Sequence, residues 1–176
     1  MKFSSKLAIF TSITLGYAHS AMANGHDLPC YQRVYSAAHM ADHPEQNVAE
    51  LTFWFELIHS GDVLVGNFKT LTADTSETRE RGIADQIFED GMFCYGGQFP
   101  NTNQVTQCTL ECGGPDVLIE YPAPGELLFH TKSISVNNSA GRCTSGVLQE
   151  GDADTYVSYR LFLVPSEMCT GIGPFG

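Results

Sequence analysis

Phe93-Cys94 and Cys108-Thr109-Leu110-Glu111-Cys112-Gly113-Gly114 bound a stretch that carries three of the six cysteines and decides how the fold is held. Residues 108–112 alternate with the period of a β-strand, so Cys108, Leu110 and Cys112 share one face. Thr109 and Glu111 occupy the other face. With the first face turned inward, the pattern predicts a core strand that disulfides staple to its neighbours.

The N-terminus has the pattern of an export signal. Lys2 and Lys6 form a basic region, Leu7 to Leu15 is an apolar run too short to span a bilayer, and Ala21-Met22-Ala23 is an A-x-A cleavage site. The pattern predicts a periplasmic or secreted protein. We expect the chain to consist of a signal peptide at 1–23, a single β-rich domain at 24–170 and a flexible tail at 171–176.

Charge and hydropathy limit the partners of the mature chain. Loss of the two signal lysines takes the formal net charge from −11 to −13. An acidic surface disfavours nucleic acid and anionic lipid, attracts cationic partners, and equally keeps an exported protein soluble. No second apolar run approaches the length of a membrane helix, so we expect no membrane insertion. The expected partner is a cationic protein or a small ligand, and the oligomeric state is left open.

The cysteine count favours disulfides over metal ligation. Six cysteines is an even number in an exported chain, and there is no C-x-x-C pair of the kind that binds zinc. Six cysteines allow 15 pairings. From their positions around turns and strands, we hypothesise the pairs Cys94–Cys108, Cys143–Cys169 and Cys30–Cys112.

The beginning of the mature chain predicts a helix. Asp27 is a candidate N-cap, Pro29 lies in the first turn, and the helix over Leu28 to Asp42 ends at Pro44. One narrow stripe of this helix consists of small residues that would pack on a sheet. The stripe contains Cys30, Val34, Ala37, Ala38 and Ala41.

After this helix the pattern is that of β-strands. Residues 48–58 and 63–72 alternate with period two and predict a long hairpin, whereas Ala73 to Arg81 predicts a loop. Trp54 and Ile58 on the outer face indicate a cover, for which the N-terminal helix is the simplest candidate. Further strands are predicted at 82–88, 92–95, 104–112, 117–121, 127–136 and 155–164.

The turns between these strands define the fold class. Gly96-Gly97, Gly113-Gly114-Pro115, residues 122–125 and residues 137–141 are turn sequences at short spacing. Many short strands with one helix predict an all-β fold. We expect an antiparallel barrel or sandwich of about eight strands, stapled by disulfides, with one N-terminal helix packed on it.

The outward half of the predicted helix supplies the candidate binding residues, Tyr31, Tyr35, His39 and His43. Tyrosine brings a large contact area at low entropy cost. This face also has few of the long charged side chains that usually keep a helix surface soluble. The alternative is that the tyrosines pack on a neighbouring strand and cover Trp54.

No motif predicts a catalytic or metal site. His39 and His43 lie one helical turn apart near Asp42, but H-E-x-x-H is absent, and we read them as surface imidazoles near a helix end. The acidic run 150–154 lacks the further ligands of a calcium loop. There is no G-x-S-x-G. The sequence therefore predicts no catalytic residue, no metal ligand and no cofactor, although paired carboxylates for glycoside cleavage remain open.

The order Cys30-Tyr31-x-x-x-Tyr35-x-x-x-His39-x-x-x-His43-Pro44 resembles the opening of a group of exported alphaproteobacterial proteins to which no function is assigned. The resemblance implies a periplasmic setting. It carries no activity that could be transferred to a position of this chain.

Two classes of function remain open from the sequence. The first is a non-enzymatic binding module, similar in kind to small periplasmic inhibitors of lysozyme or proteases, or to a lipocalin-like carrier. The alternative is a hydrolytic or metal-dependent periplasmic enzyme that uses surface histidines and carboxylates. Since the chain has no catalytic signature, we expect the binding module.

Overall fold

The computed structural model describes residues 28–58, 63–95, 105–110, 116–136, 146–149 and 155–169. The predicted signal peptide, the predicted tail at 171–176, Cys112, Cys143 and the acidic run at 150–154 lie outside these ranges. In chain order the described elements are β1 (Cys30–Val34), α1 (Ala37–Asp42), β2 (Val48–Ile58), β3 (Val63–Thr72), α2 (Ser76–Glu80), β4 (Ile87–Cys94), β5 (Val105–Leu110), β6 (Val117–Glu120), β7 (Glu126–Thr131), β8 (Ser133–Val136), β9 (Gly146–Gln149), β10 (Val157–Val164) and a 3₁₀ turn (Ser166–Cys169).

Eight of these strands form a closed antiparallel barrel in the order β1-β10-β7-β6-β5-β4-β3-β2. Each strand from β1 to β7 pairs with the next along the chain, and β10 closes the barrel between β7 and β1. The strands β8 and β9 form a separate two-stranded sheet. The predicted all-β fold is confirmed, and of the two expected architectures the barrel is the one observed.

The hairpin of β2 and β3 follows the alternation in the sequence. Leu51, Phe53 and Phe55 are buried in the interior cluster. Phe53 lies opposite Phe68 in the antiparallel register, so both rings point to the same side of the sheet. The predicted long hairpin is confirmed.

Large side chains from opposite walls meet inside the barrel. The ring of Phe129 on β7 lies 5.8 Å from Phe53 on β2 and 5.8 Å from Phe68 on β3, measured between centroids. Tyr159 and Leu161 from β10 are also fully buried in this cluster. The interior of an eight-stranded barrel is just wide enough to be filled by side chains, and here these three aromatic rings fill part of it.

One end of the barrel carries α1, α2 and the two-stranded sheet of β8 and β9, because the strands next to these elements in the chain end there. Buried polar side chains bind the connections at this end together. Asn47 donates to Glu77 at 2.9 Å and accepts a hydrogen bond from the Thr75 hydroxyl at 2.6 Å. Thr75 also caps α2, since its hydroxyl accepts from the backbone N–H of Thr78. The prediction of a loop over Ala73 to Arg81 was therefore wrong at its centre.

The predicted N-terminal helix over Leu28 to Asp42 was also wrong in its first half. Residues 30–34 form β1, which pairs with β2 on one side and with β10 on the other. A helix at this position would leave the edges of β2 and β10 unpaired. The backbone hydrogen bonds of two strand pairings outweigh the weak helix propensity of these residues. Only α1 is helical, and it starts after Ser36, whose side chain accepts from the His39 N–H at 3.1 Å.

The face of α1 that packs inward is not the predicted one. Ala37, Ala38 and Ala41 are exposed, whereas His39 and Met40 are half-buried. The small-residue stripe therefore does not pack on the sheet. No helix among the described residues is long and apolar enough to cross a membrane.

The strand boundaries differ from the prediction in four places. The two strands predicted at 82–88 and 92–95 are one continuous strand, β4. β4 begins at Ile87 instead of residue 82, because Gly82 and Asp85 adopt positive φ in the preceding turn. The predicted strand over 127–136 is divided into β7 and β8 around Lys132. β9 was missed by the sequence analysis.

Two disulfides lie within the described residues. Cys94 is bonded to Cys108 on the adjacent strand, as predicted. Cys30 is bonded to Cys169, so the hypothesised pairs Cys143–Cys169 and Cys30–Cys112 were wrong. The reason is that Cys30 lies on a strand beside β10, whose end leads directly into the 3₁₀ turn of Cys169.

The cover of Trp54 also differs from the expectation. Trp54 is only 7% exposed and lies opposite Cys30 on the outer face of β2. The 3₁₀ turn lies against β1 and β2, held there by the Cys30–Cys169 bond. The C-terminal turn, and not an N-terminal helix, therefore packs on this part of the barrel.

Candidate functional site

Five side chains near α1 form a continuous stack, which we call the stacked column. The guanidinium carbon of Arg33 lies 5.5 Å from the ring centroid of Phe162 and 5.1 Å from that of Tyr35. The ring of Tyr35 stacks on His39 at 4.7 Å, and His39 lies 4.4 Å from His43 between centroids. The column joins β10, β1 and α1.

The local sequence explains the α1 part of the column. His39 and His43 are four residues apart, which places them on the same side of a helical turn. Ser36 caps α1 and so places the turn directly after Tyr35. The helix ends at Asp42, and the following residue, His43, caps it before Pro44, since the backbone N–H of His43 donates to the His39 carbonyl. The spacing that suggested a shared face was therefore informative over this short segment.

One nitrogen of each imidazole lies near a side chain outside the column. The Nε2 atom of His39 lies 3.0 Å from the Gln46 side-chain oxygen, and Gln46 in turn donates to the Val48 carbonyl at 2.6 Å. His43 Nδ1 lies 3.5 Å from a Glu45 oxygen, an ion pair when the ring is protonated. The two rings lie 4.4 Å apart at a tilt of 34°, and these contacts do not direct their nitrogens to a common ion.

The middle of the column is anchored and its ends are accessible. Tyr35 is half-buried and packs against the interior cluster of the barrel. His43 at one end is exposed, and Phe162 at the other end is 38% exposed. Anchoring fixes the direction of the column, while its ends can contact another molecule.

Tyr31, the remaining predicted binding residue, does not join the column. It lies on β1 and is buried inside the barrel, with its ring 5.8 Å from that of Tyr121 in an edge-to-face contact. Burial raises the pKa of Tyr31 and the pKa of Tyr121 above their usual value. Tyr31 is therefore placed in the core, and the structure brings together the other three candidates.

Two members of the column, Arg33 and Phe162, were missed by the sequence analysis. In a helix, Arg33 would have no special relation to Tyr35, but in β1 it lies two residues before it and next to β10. Phe162 alternates with buried Leu161 along β10, which marks it as an outward aromatic residue. An exposed aromatic ring on a barrel strand was the signal available for this position.

A second polar group lies on the outer face of β6, β7 and β10. The Ser158 hydroxyl oxygen is 2.6 Å from His130 Nδ1, and His130 Nε2 is 3.7 Å from a Glu120 oxygen. Ser158 is directly opposite His130 in the register, so a cross-strand pair explains their contact. The three residue types are those of a hydrolytic triad.

Potential metal ligands do not cluster in the described ranges. No group of three or more histidine, cysteine, aspartate or glutamate side chains that could hold an ion occurs there. The acidic run 150–154 lies outside those ranges.

Comparisons of the chain with family models, with curated proteins and with solved structures found no match. The residues of the stacked column are therefore interpreted from their own geometry.

Proposed function

We propose that the protein is an exported, non-enzymatic binding module that contacts its partner through the stacked column. The observation that carries the proposal is the column itself, in which a guanidinium and four rings follow one another at 4.4 to 5.5 Å. Side chains already held by stacking lose little conformational freedom when a partner binds. Aromatic and arginine side chains are also the types that contribute most to binding energy at interfaces.

Export is supported by the disulfides and by the predicted signal peptide. The bonds Cys30–Cys169 and Cys94–Cys108 are typical of a protein from an oxidising compartment. The pattern of residues 1–23 and the resemblance noted above favour the periplasm, with secretion as the other destination.

The packing inside the barrel favours contact on the outside. A lipocalin-like carrier needs an interior cavity for its ligand. Rings from opposite walls meet inside this barrel, with Phe129 at 5.8 Å from both Phe53 and Phe68. The inhibitor-like alternative, in which a surface binds another protein, is therefore the better supported form of binding module.

The experiment uses the exposed ends of the column. Immobilised mature protein is tested for capture of a partner from periplasmic extract, together with the variants Phe162→Ser and His43→Ser. Tyr95→Ser is the matched control, because Tyr95 is an exposed aromatic residue after β4, outside the column. We expect the wild type and Tyr95→Ser to capture the same partner and both column variants to lose it, with unchanged melting temperatures.

Capture by all four proteins alike would contradict the proposal. A fall of several degrees in the melting temperature of Phe162→Ser and His43→Ser would instead assign the column to packing. Tyr35→Ser is a less suitable variant, because the Tyr35 ring packs on the interior cluster and its loss is expected to destabilise the barrel.

The second candidate function is ester or amide hydrolysis, and the contact of Ser158 with His130 favours it. In such a reaction the Ser158 oxygen attacks the acyl carbonyl while its proton passes to His130 Nδ1. The bond from the acyl carbon to the alcohol or amine then breaks, and the leaving group takes that proton from His130. Water, deprotonated by His130, later attacks the acyl-Ser158 ester, which releases the acid and returns the proton to Ser158. Glu120 would orient the ring. However, its 3.7 Å separation from His130 exceeds a hydrogen bond, and Ser158 is exposed on the outer face of a strand. The binding module is therefore the first candidate.

Hydrolysis of p-nitrophenyl acetate tests this second candidate. Ser158→Ala should abolish release of p-nitrophenol above the rate of buffer if the group is catalytic, whereas Ser166→Ala, a change in the C-terminal turn, should not. Equal rates for the wild type and Ser158→Ala would remove the hydrolase from consideration.

A further inference from the structure

Arg33 differs from the other arginines in the described part of the chain. Each of the other three forms an ion pair with a carboxylate, at 2.5 Å for Arg79 with Asp74, 3.5 Å for Arg81 with Glu77 and 3.1 Å for Arg160 with Glu126. Within the same described ranges Arg33 has two aromatic neighbours and no carboxylate partner. The chain contains 20 aspartates and glutamates against nine lysines and arginines, so carboxylates are not scarce.

The stacking of Arg33 leaves one part of its guanidinium available. Tyr35 and Phe162 approach within 5.1 and 5.5 Å of the guanidinium carbon. Aromatic rings bind a guanidinium through its planar faces, whereas its five N–H donors point outward along its edge. Arg33 is half-buried, so the stack holds the side chain in place while the edge has no protein acceptor in the described ranges.

We propose that Arg33 binds the carboxylate of a peptide through two parallel N–H···O bonds. The planar fork of arginine matches a carboxylate in this bidentate geometry. The inference rests on the proposed binding function and specifies the chemistry of its partner. The carboxylate belongs either to the C-terminus of the peptide or to an aspartate or glutamate side chain.

The surroundings of Arg33 favour a peptide over a free anion. Phe162, which contacts Arg33, is 38% exposed, and the residues next to these two in the chain, Val34 and Leu163, are 60% and 55% exposed. Apolar side chains next to a carboxylate can contact these residues, whereas an inorganic anion offers them nothing. The net charge of −11 attracts a chain that is cationic elsewhere, so a basic peptide with one carboxylate satisfies both the long-range field and the local contact.

The test follows the Nε–Hε signal of Arg33 in ¹⁵N-labelled mature protein by NMR. The probes are acetyl-Lys-Ala-Leu with a free C-terminal carboxylate, its C-terminal amide, acetyl-Lys-Glu-Leu amide, and inorganic phosphate. We expect the signal to shift with a carboxylate peptide and to stay in place with acetyl-Lys-Ala-Leu amide. Comparison of the free acid with the glutamate peptide identifies the source of the carboxylate.

Two arginine variants complete the test. Arg33→Gln should weaken binding of the carboxylate peptide by about tenfold or more, because it removes charge-assisted hydrogen bonds. Arg79→Gln is the matched control, since Arg79 lies on α2 and is already paired with Asp74. It should bind as the wild type does.

Three results would overturn the inference. They are shifts with both carboxylate peptides no larger than the shift with acetyl-Lys-Ala-Leu amide, unchanged affinity in Arg33→Gln, and a phosphate shift as large as the peptide shift. If Arg33→Gln does not fold, the comparison of the two carboxylate peptides with acetyl-Lys-Ala-Leu amide on the wild type decides alone. If Phe162→Ser and His43→Ser abolish partner capture but Arg33→Gln does not, the binding module stands and the carboxylate inference fails.

Discussion

Cys30 in the first strand of the barrel is bonded to Cys169 in the C-terminal turn, across a sequence separation of 139 residues. Cys30 lies opposite Trp54 on β2 and opposite Val164 on β10. The bond therefore lies on β1, the strand between β2 and β10 in the closed barrel. It ties the first strand of the barrel to the segment that follows the last strand.

The two described disulfides should differ in their contribution to stability. In the chain-entropy account a longer closed loop restricts the unfolded chain more, which gives about 5 kcal/mol for the Cys30–Cys169 bond and about 3 kcal/mol for Cys94–Cys108. The sequence separations are 139 and 14 residues. We expect the double variant Cys30→Ser/Cys169→Ser to lose more free energy of unfolding in urea than Cys94→Ser/Cys108→Ser. Equal losses would show that the effect does not come from the unfolded chain.

The third disulfide is predicted by elimination. Four of the six cysteines are used in the described bonds, and Cys112 and Cys143 remain. An exported chain with an even cysteine count favours a complete set of bonds. We expect peptide mapping without reduction to recover Cys112 joined to Cys143. A free thiol at either position, or a peptide that joins Cys112 to Cys30, would contradict this prediction.

The stability of the barrel should fall in alkali because of Tyr121. Burial raises the pKa of Tyr121 in the folded protein, whereas the unfolded chain titrates near its usual value of about 10. The stabilising difference is fully present below about pH 10 and is lost as the pH rises above it, by at most about 1.4 kcal/mol per pH unit for this one proton. Urea unfolding at increasing pH measures the loss.

The variant Tyr121→Phe isolates the contribution of this hydroxyl. It keeps the buried ring and removes the titrating group, so the decline above pH 10 should be less steep than in the wild type. Tyr95→Phe is the control, because Tyr95 is exposed and its change should leave the decline unaltered. If Tyr121→Phe declines as steeply as the wild type, other groups cause the alkaline loss.

The histidine pair should bind zinc only weakly. His39 Nε2 bonds to Gln46 and His43 Nδ1 lies beside Glu45, while the two rings lie 4.4 Å apart at a tilt of 34°. A structural zinc site needs four ligands, and water would have to supply the rest here. We expect isothermal titration to detect no tight site. Submicromolar binding that disappears in His39→Ala would show that this prediction is wrong.

Several features could be predicted from the sequence because they depend on near neighbours. The alternation of Leu51, Phe53 and Phe55 records which face of a strand is buried, and it predicted the β2-β3 hairpin. Cys94 and Cys108 lie on consecutive strands, so a turn is enough to bring them together. Similarly, the four-residue spacing of His39 and His43 put both rings on one side of a short helix.

The segment from residue 28 to 36 had the opposite outcome. Its capping residues and small side chains favoured a helix, but residues 30–34 became a strand because β2 and β10 both needed a partner there. Hydrogen bonds in two ladders outweigh the small differences in local propensity. Tyr31, which was predicted on the outward face of a helix, is consequently buried in the core.

The all-β class, the period of the central hairpin and the disulfide between adjacent strands could be predicted from the sequence, since each depends on residues close in the chain. The bond of Cys30 to Cys169 and the contact of Phe162 with Arg33 depend on the tertiary structure. Both contacts arise because closure of the barrel places β10 beside β1. No local sequence pattern predicts that β10 and β1 are neighbours, because their adjacency depends on all the other strand pairings of the barrel.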